Sequence, residues 1–93
     1  MPSWDEAKRL TNLRFHGLDF ASAERIWDLP TVTREDRRKA YGETRMVTFG
    51  LVDGVVVVLV HIDRRDDMHI ISLRRAEKYE TRYYFEATRG HFR

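Results

Sequence analysis

Six side chains near the ends of strand-like segments are able to do chemistry together: Glu43, Arg45, His61, Arg64, Arg74 and Arg75. RNA cleavage by the ribose 2′-hydroxyl needs a base, an acid for the leaving oxygen, and cations for the charge that develops on phosphorus. Arginine suits the last role because its planar fork matches two phosphate oxygens, and imidazole suits proton transfer with an ordinary pKa of about 6.5. The plain alternative for each of these residues is a surface ion pair. Other reaction classes lack their signatures. The chain has no G-x-x-x-x-G-K-S/T, no G-x-G-x-x-G, no H-E-x-x-H and no G-x-S-x-G. Histidines 16, 61, 69 and 91 lack the tight spacing of a zinc motif, so no metal and no cofactor is expected.

These groups must be positioned by a chain of 93 residues with no cysteine, which excludes a two-domain enzyme and any disulfide framework. One domain over residues 1–93 is expected. The formal net charge is only +2, but residues 64–93 hold eight basic against five acidic side chains. There Arg64, Arg65, Arg74, Arg75, Lys78 and Arg82 mingle with Tyr79, Tyr83, Tyr84 and Phe85. That mixture fits phosphate contact and base stacking, or simply a solvated helix face with its apolar side in the core. The longest apolar run, residues 55–60, is far short of the roughly 18–20 residues of a membrane span, and no signal peptide pattern is present. A soluble cytoplasmic protein is expected.

The elements read as follows. Ser3 and Glu6 fit a capping box and Gly17 a left-handed stop, giving a helix over 4–16 with Trp4, Ala7, Leu10 and Leu13 inward and Lys8, Arg9, Asn12 and His16 at the flank or surface. Asp19 caps a short helix over 20–28 that Pro30 ends, and a short strand over 31–34 follows. Residues 35–42 form a charged loop containing Arg37, Arg38 and Lys39. Asp53-Gly54 then joins strands 45–52 and 55–63 in a hairpin. Val47, Phe49 and Leu51 share one face with Val56, Val58, Val60 and Ile62. The opposite face is also apolar, so the hairpin is covered on both sides, with one cover open to another protein. A strand over 68–75 and a helix over 76–89 complete the chain. The fold class is α/β (α+β): two N-terminal helices, a three- to four-stranded antiparallel sheet and a C-terminal helix. A four-residue turn at 64–67 puts His61 and His69 on opposite faces and an odd turn puts them on one; the pattern leaves both open.

The order of residues resembles a known family. W-D-x-x-K-x-x-x-N over 4–12, His16-Gly17, Phe20, Ala23, Asp36, Tyr41-Gly42-Glu43-x-Arg45, Gly50 and I-I-S-x-R-R-A over 70–76 are similar to the BrnT family of type II toxin–antitoxin ribonucleases. The likeness runs from Trp4 to about Tyr83. It implies a RelE-like fold, metal-independent RNA cleavage that arrests translation, and neutralisation by a BrnA-type ribbon-helix-helix antitoxin. Two toxins then join two antitoxins, and operator DNA is contacted only through the antitoxin. By position the family's pattern falls on Lys8, His16, Glu43, Arg45, Arg64 and Arg74, with His61 or His69 as further candidates; with Arg75 added, the expected site is Glu43, His61, Arg64 and Arg74 as catalytic and Lys8, His16, Arg45, His69 and Arg75 as RNA-binding. Arg64 and Arg74 would stabilise the phosphate, and Glu43 or His61 would be the base. Phe15 and His69 stand where relatives usually carry lysine and arginine, and Leu73 and Ile62 where alanine and threonine are usual. The alternative reading is a non-catalytic RNA-binding or antitoxin-docking module.

Overall fold

In a computed structural model, which describes residues 2–37 and 42–92, the chain runs β1 (Pro2–Trp4), α1 (Glu6–His16), a 3₁₀ helix (Phe20–Asp28), β2 (Val32–Asp36), β3 (Arg45–Val52), β4 (Val55–Asp63), β5 (Met68–Arg75) and α2 (Lys78–Ala87). Arg38, Lys39 and Tyr41, which the sequence reading placed in the charged loop and the Tyr-Gly-Glu motif, lie outside the described residues. The five strands form one sheet in the order β1-β5-β4-β3-β2, antiparallel except for β1, which runs parallel to β5. The mixed α and β class is as expected. The sheet is larger than expected, and its parallel edge was not anticipated.

Local chemistry explains the hairpin. Asp53 and Gly54 both take positive φ, 51° and 77°, as a two-residue I′ turn requires, and they fix the pairing of Val52 with Val55. At the N-terminus the capping-box reading fails. Ser3 lies in β1, and Asp5 is the helix cap, its Oδ1 accepting from the amides of Ala7 at 2.9 Å and Lys8 at 3.2 Å. Trp4 also belongs to β1, and its ring meets Phe20 edge-on at 6.3 Å. Gly17 ends α1 in the left-handed conformation as predicted, its amide donating to Leu13.

The supposed inner stripe of α1 faces out: Leu10 is 55% exposed and Leu13 is exposed too. The helix docks through Asn12, which is only 7% exposed. Its Nδ2 donates to the carbonyl of Leu73 at 2.7 Å and to that of Leu18 at 3.1 Å, while its Oδ1 accepts the Leu73 amide at 3.1 Å. β1 covers the outer edge of β5 only at Met68, His69 and Ile70. Asn12 thus supplies to Leu73 the pairing that a longer β1 would have given.

Both faces of the hairpin are covered from within the chain. On one face Phe20, Ala23, Ile26, Val57, Leu59, Ile70 and Leu73 form a core beneath α1 and the 3₁₀ helix. On the other, Phe49, Val56 and Val58 pack with Tyr84 of α2, whose buried hydroxyl donates to the Pro30 carbonyl at 2.6 Å. Gly50 permits the first packing, because a Cβ there would stand 2.4 Å from Ile26 Cγ2. Pairing with β4 slips between Val60 and His61, which are matched to Ser72 and Ile70, so Ile71 is an extra residue in β5. Among the described residues no helix is long and apolar enough to cross a membrane.

Asn12→Leu keeps the volume and strips the Leu73 edge groups of their partner. It should cost about 2–4 kcal/mol, the desolvation cost of one or two buried polar groups, read as a lower midpoint in urea unfolding. An unchanged midpoint would show that the carboxamide is not what docks α1.

Candidate functional site

α2 covers only part of its sheet face, and the register says which side chains line the rest. The outermost row carries Asp36 and Arg45 paired across β2 and β3, then Ile62 and His69 across β4 and β5, with Ser3 of β1 beside His69. The next row inward is Arg34, Val47, Val60 and Ser72, and the third is Val32, Phe49, Val58 and Arg74, where the helix begins to cover the sheet. A groove of about 490 Å³ runs over this area, lined among others by Arg34, Arg37, Ser72, Arg74, Tyr79 and Glu80. The open half-face is polar around a strip of valines.

Three of the sequence-derived residues lie on it. Arg45 is half-buried in the outer row. His69 is half-buried in the same row, its Nδ1 held at 2.9 Å by the Ser3 hydroxyl, which in turn hydrogen-bonds Asp67. Its Nε2 has no hydrogen bond among the described residues. Arg74 donates both terminal nitrogens to Glu80, at 2.8 and 2.9 Å. Glu80 is only 5% exposed, and this fork, with burial opposing it, holds its carboxyl below the ordinary range and raises the guanidinium. Arg74 keeps Nε–H and one Nη2–H for another acceptor.

Glu43 and Arg64 meet at the rim, with Nε and Nη2 of the arginine 3.4 and 3.3 Å from the carboxylate oxygens, both side chains largely exposed. Arg64 follows Asp63 and Arg74 pairs with Val58, so about 20 Å of strand separates the two arginines.

His61 is elsewhere. The four-residue turn, with Asp63 paired to Met68, places it on the α1 face, opposite His69, and it is 1% exposed. Its Nε2 lies 2.7 Å from Thr48 Oγ1, its Nδ1 2.7 Å from Asp63 Oδ1, and Thr48 Oγ1 lies 2.7 Å from Thr33 Oγ1. Trp27 meets the ring edge-on at 6.3 Å. Both ring nitrogens are engaged, the arrangement of an internal cross-link between β2, β3 and β4. Lys8 and His16 belong to a separate pocket of about 330 Å³ between α1 and Ile71, beside the exposed Phe15. Arg75 donates to the His16 carbonyl at 2.9 Å and so closes the C-terminus of α1. Among the described residues no three histidine or acidic side chains are grouped to hold a metal ion.

Residues 4–80, more than four-fifths of the chain, match the family described as "Ribonuclease toxin, BrnT, of type II toxin-antitoxin system". The chain belongs to the BrnT family. No individual curated protein matches it. BrnT proteins are ribonuclease toxins of type II systems, so RNA is the substrate and a protein antitoxin the partner. Within this BrnT chain, several motif residues that suggested the resemblance serve the fold: Asn12 docks α1, Gly17 ends it, and Gly50 lets Ile26 approach. Arg34 and Ser72 were not singled out as site residues from the sequence. Alternation of Val32, Arg34 and Asp36 at strand period is the signal that points to the first of them.

Because the folded carboxyl of Glu80 titrates below its unfolded value of about 4.3, its contribution to stability is complete above that pH. It is lost as the pH falls through the lowered folded value. Glu80→Gln should destabilise the protein by about 1–3 kcal/mol at pH 7. The gap in melting temperature between the two proteins should narrow below pH 4; a gap independent of pH would refute the ionic account.

Proposed function

We propose that this BrnT protein is a metal-independent, RelE-like endoribonuclease that acts in the cytoplasm and arrests translation and growth. The observation that carries the reading is the outer row of the open half-face. Arg45 and His69 stand on either side of Ile62, two strand spacings or about 10 Å apart, with the Glu43–Arg64 pair at the adjoining rim. A phosphate between them meets a guanidinium on one side and an imidazole on the other.

In this mechanism Glu43 removes the proton of the ribose 2′-hydroxyl, whose oxygen attacks phosphorus. Arg45 and Arg64 stabilise the added negative charge of the phosphorane. The bond from phosphorus to the 5′-oxygen then breaks, and His69, protonated on Nε2, gives that proton to the leaving oxygen. The products are a 2′,3′-cyclic phosphate and a 5′-hydroxyl. The Ser3 hydroxyl on Nδ1 orients the ring. Arg74, held by Glu80, contacts a neighbouring phosphate. His61 takes a structural part, and Lys8, His16 and Arg75 take none in the step.

A BrnA-type antitoxin with a ribbon-helix-helix half would neutralise the protein, giving two toxins and two antitoxins, with operator DNA bound through the antitoxin. Exposed Leu10, Trp27 and Leu29 offer apolar surface for such a partner.

Incubation with total RNA in excess chelator should yield fragments ending in 2′,3′-cyclic phosphate, while RNA lacking 2′-hydroxyls stays intact. His69→Gln should lower the rate about 10²–10⁴-fold with the melting temperature nearly kept. His61→Gln should instead lower the melting temperature. Cleavage that appears only with added divalent ion, or no cleavage by a folded protein, would defeat this reading; the second result would favour a binding module.

A further inference from the structure

Among the described residues, six of the chain's fourteen arginines are engaged by acids of the same chain. Arg9, Arg25, Arg37, Arg64, Arg74 and Arg89 each bridge to a carboxylate of the same chain. Arg34 does not. Its guanidinium carbon lies 5.3 Å from the centroid of the Phe49 ring and 5.1 Å from that of Tyr83, two rings that meet edge-on at 5.2 Å. Contact with the two rings holds the guanidinium through cation–π attraction, which uses none of its N–H donors. Among the described residues none of its five N–H donors has a hydrogen-bond acceptor. Its charge is felt by Glu80, already gripped by Arg74, so two guanidiniums share one buried carboxylate, while Glu35, bridged by Arg37, and Asp36 also line the groove. At the lip of the same groove Tyr79 is 65% exposed.

We infer that Arg34 is a phosphate-binding residue for single-stranded RNA, taking two non-bridging oxygens of a phosphate next to the cleaved one while an unpaired base stacks on Tyr79. The inference rests on the ribonuclease reading for the identity of the ligand. A rigid fork beside an exposed aromatic face fits an unpaired nucleotide, in which anion and ring are covalently joined. An acidic peptide would satisfy the fork and leave the ring without a role. Arg34 stands two residues along β2 from Asp36 and therefore one row inward from the proposed reaction, about 7 Å, which separates it from the cleaved bond itself.

The test uses a fluorescent single-stranded 2′-O-methyl oligonucleotide, which cannot be cleaved, with anisotropy measured at several salt concentrations and cleavage of the matching RNA measured alongside. Arg34→Ala should weaken binding about tenfold at low salt and reduce the slope of log affinity against log salt by about 0.7, the loss of one phosphate contact to a single strand. Arg34→Lys should keep the slope but recover only part of the affinity. Tyr83→Leu leaves the charge and removes one of the two rings that hold the guanidinium, and should weaken binding without changing the slope. Melting curves confirm that each variant is folded, and Arg34→Lys carries the test if Arg34→Ala is not. Equal affinity and slope for the parent and Arg34→Ala would overturn the inference. So would loss of antitoxin binding alone, or a parent that does not bind the oligonucleotide. Arg34-dependent binding by a parent that cuts no RNA would retain the phosphate site and remove the ribonuclease reading.

Discussion

One carboxamide sets the geometry on which the rest depends. β5 must lie where its neighbours can use it, yet β1 is only three residues long and leaves the outer edge of β5 bare beyond Ile70. Asn12 takes both backbone groups of Leu73 from the side of α1 and fixes helix and strand in one register. That bond turns the polar side of α1 to the sheet, which is why Leu10 and Leu13 end up outside. Arg75 closes the same joint from the other end through the His16 carbonyl. Pairing with β4 places the proposed reacting and binding residues of β5, and this joint holds α1 against the strand that carries them.

The bulge at Ile71 then decides which face those residues reach. In a regular strand His69 and Ser72 would point to opposite sides, since their separation is odd. The extra residue restores them to one face, with Arg74 beyond, while Ile70 and Leu73 both turn into the core under α1. A single inserted residue thus serves packing and chemistry at once, in line with the frequency of bulges beside functional sites.

Sequence patterning recovered what is local. The Asp-Gly turn, the glycine stop at Gly17, the Asp19 cap and the strands over 45–52, 55–63 and 68–75 follow from side-chain periods and turn chemistry within a few residues. Features decided across the chain were beyond it. β1 read as a helix start because Ser3 and Glu6 have capping spacing, and only residues 68–70 reveal it as a strand. His61 looked reactive because its type is; Thr48 and Asp63, brought to its two nitrogens by the sheet, make it a cross-link. Arg34 passed unmarked as one arginine among many, since what distinguishes it is contact with two rings from β3 and α2.

The parallel pairing of β1 with β5 also bears on how the chain is made. Residues 2–4 are synthesised before their partners, residues 68–70, so β1 has nowhere to dock until β5 has followed it. Contacts of such long sequence separation form late, after more local pieces such as the hairpin have closed. Ser3 reaches His69 only at that stage. The Ser3–His69 contact therefore belongs to the docked sheet alone, and a chain made only as far as β4 lacks it.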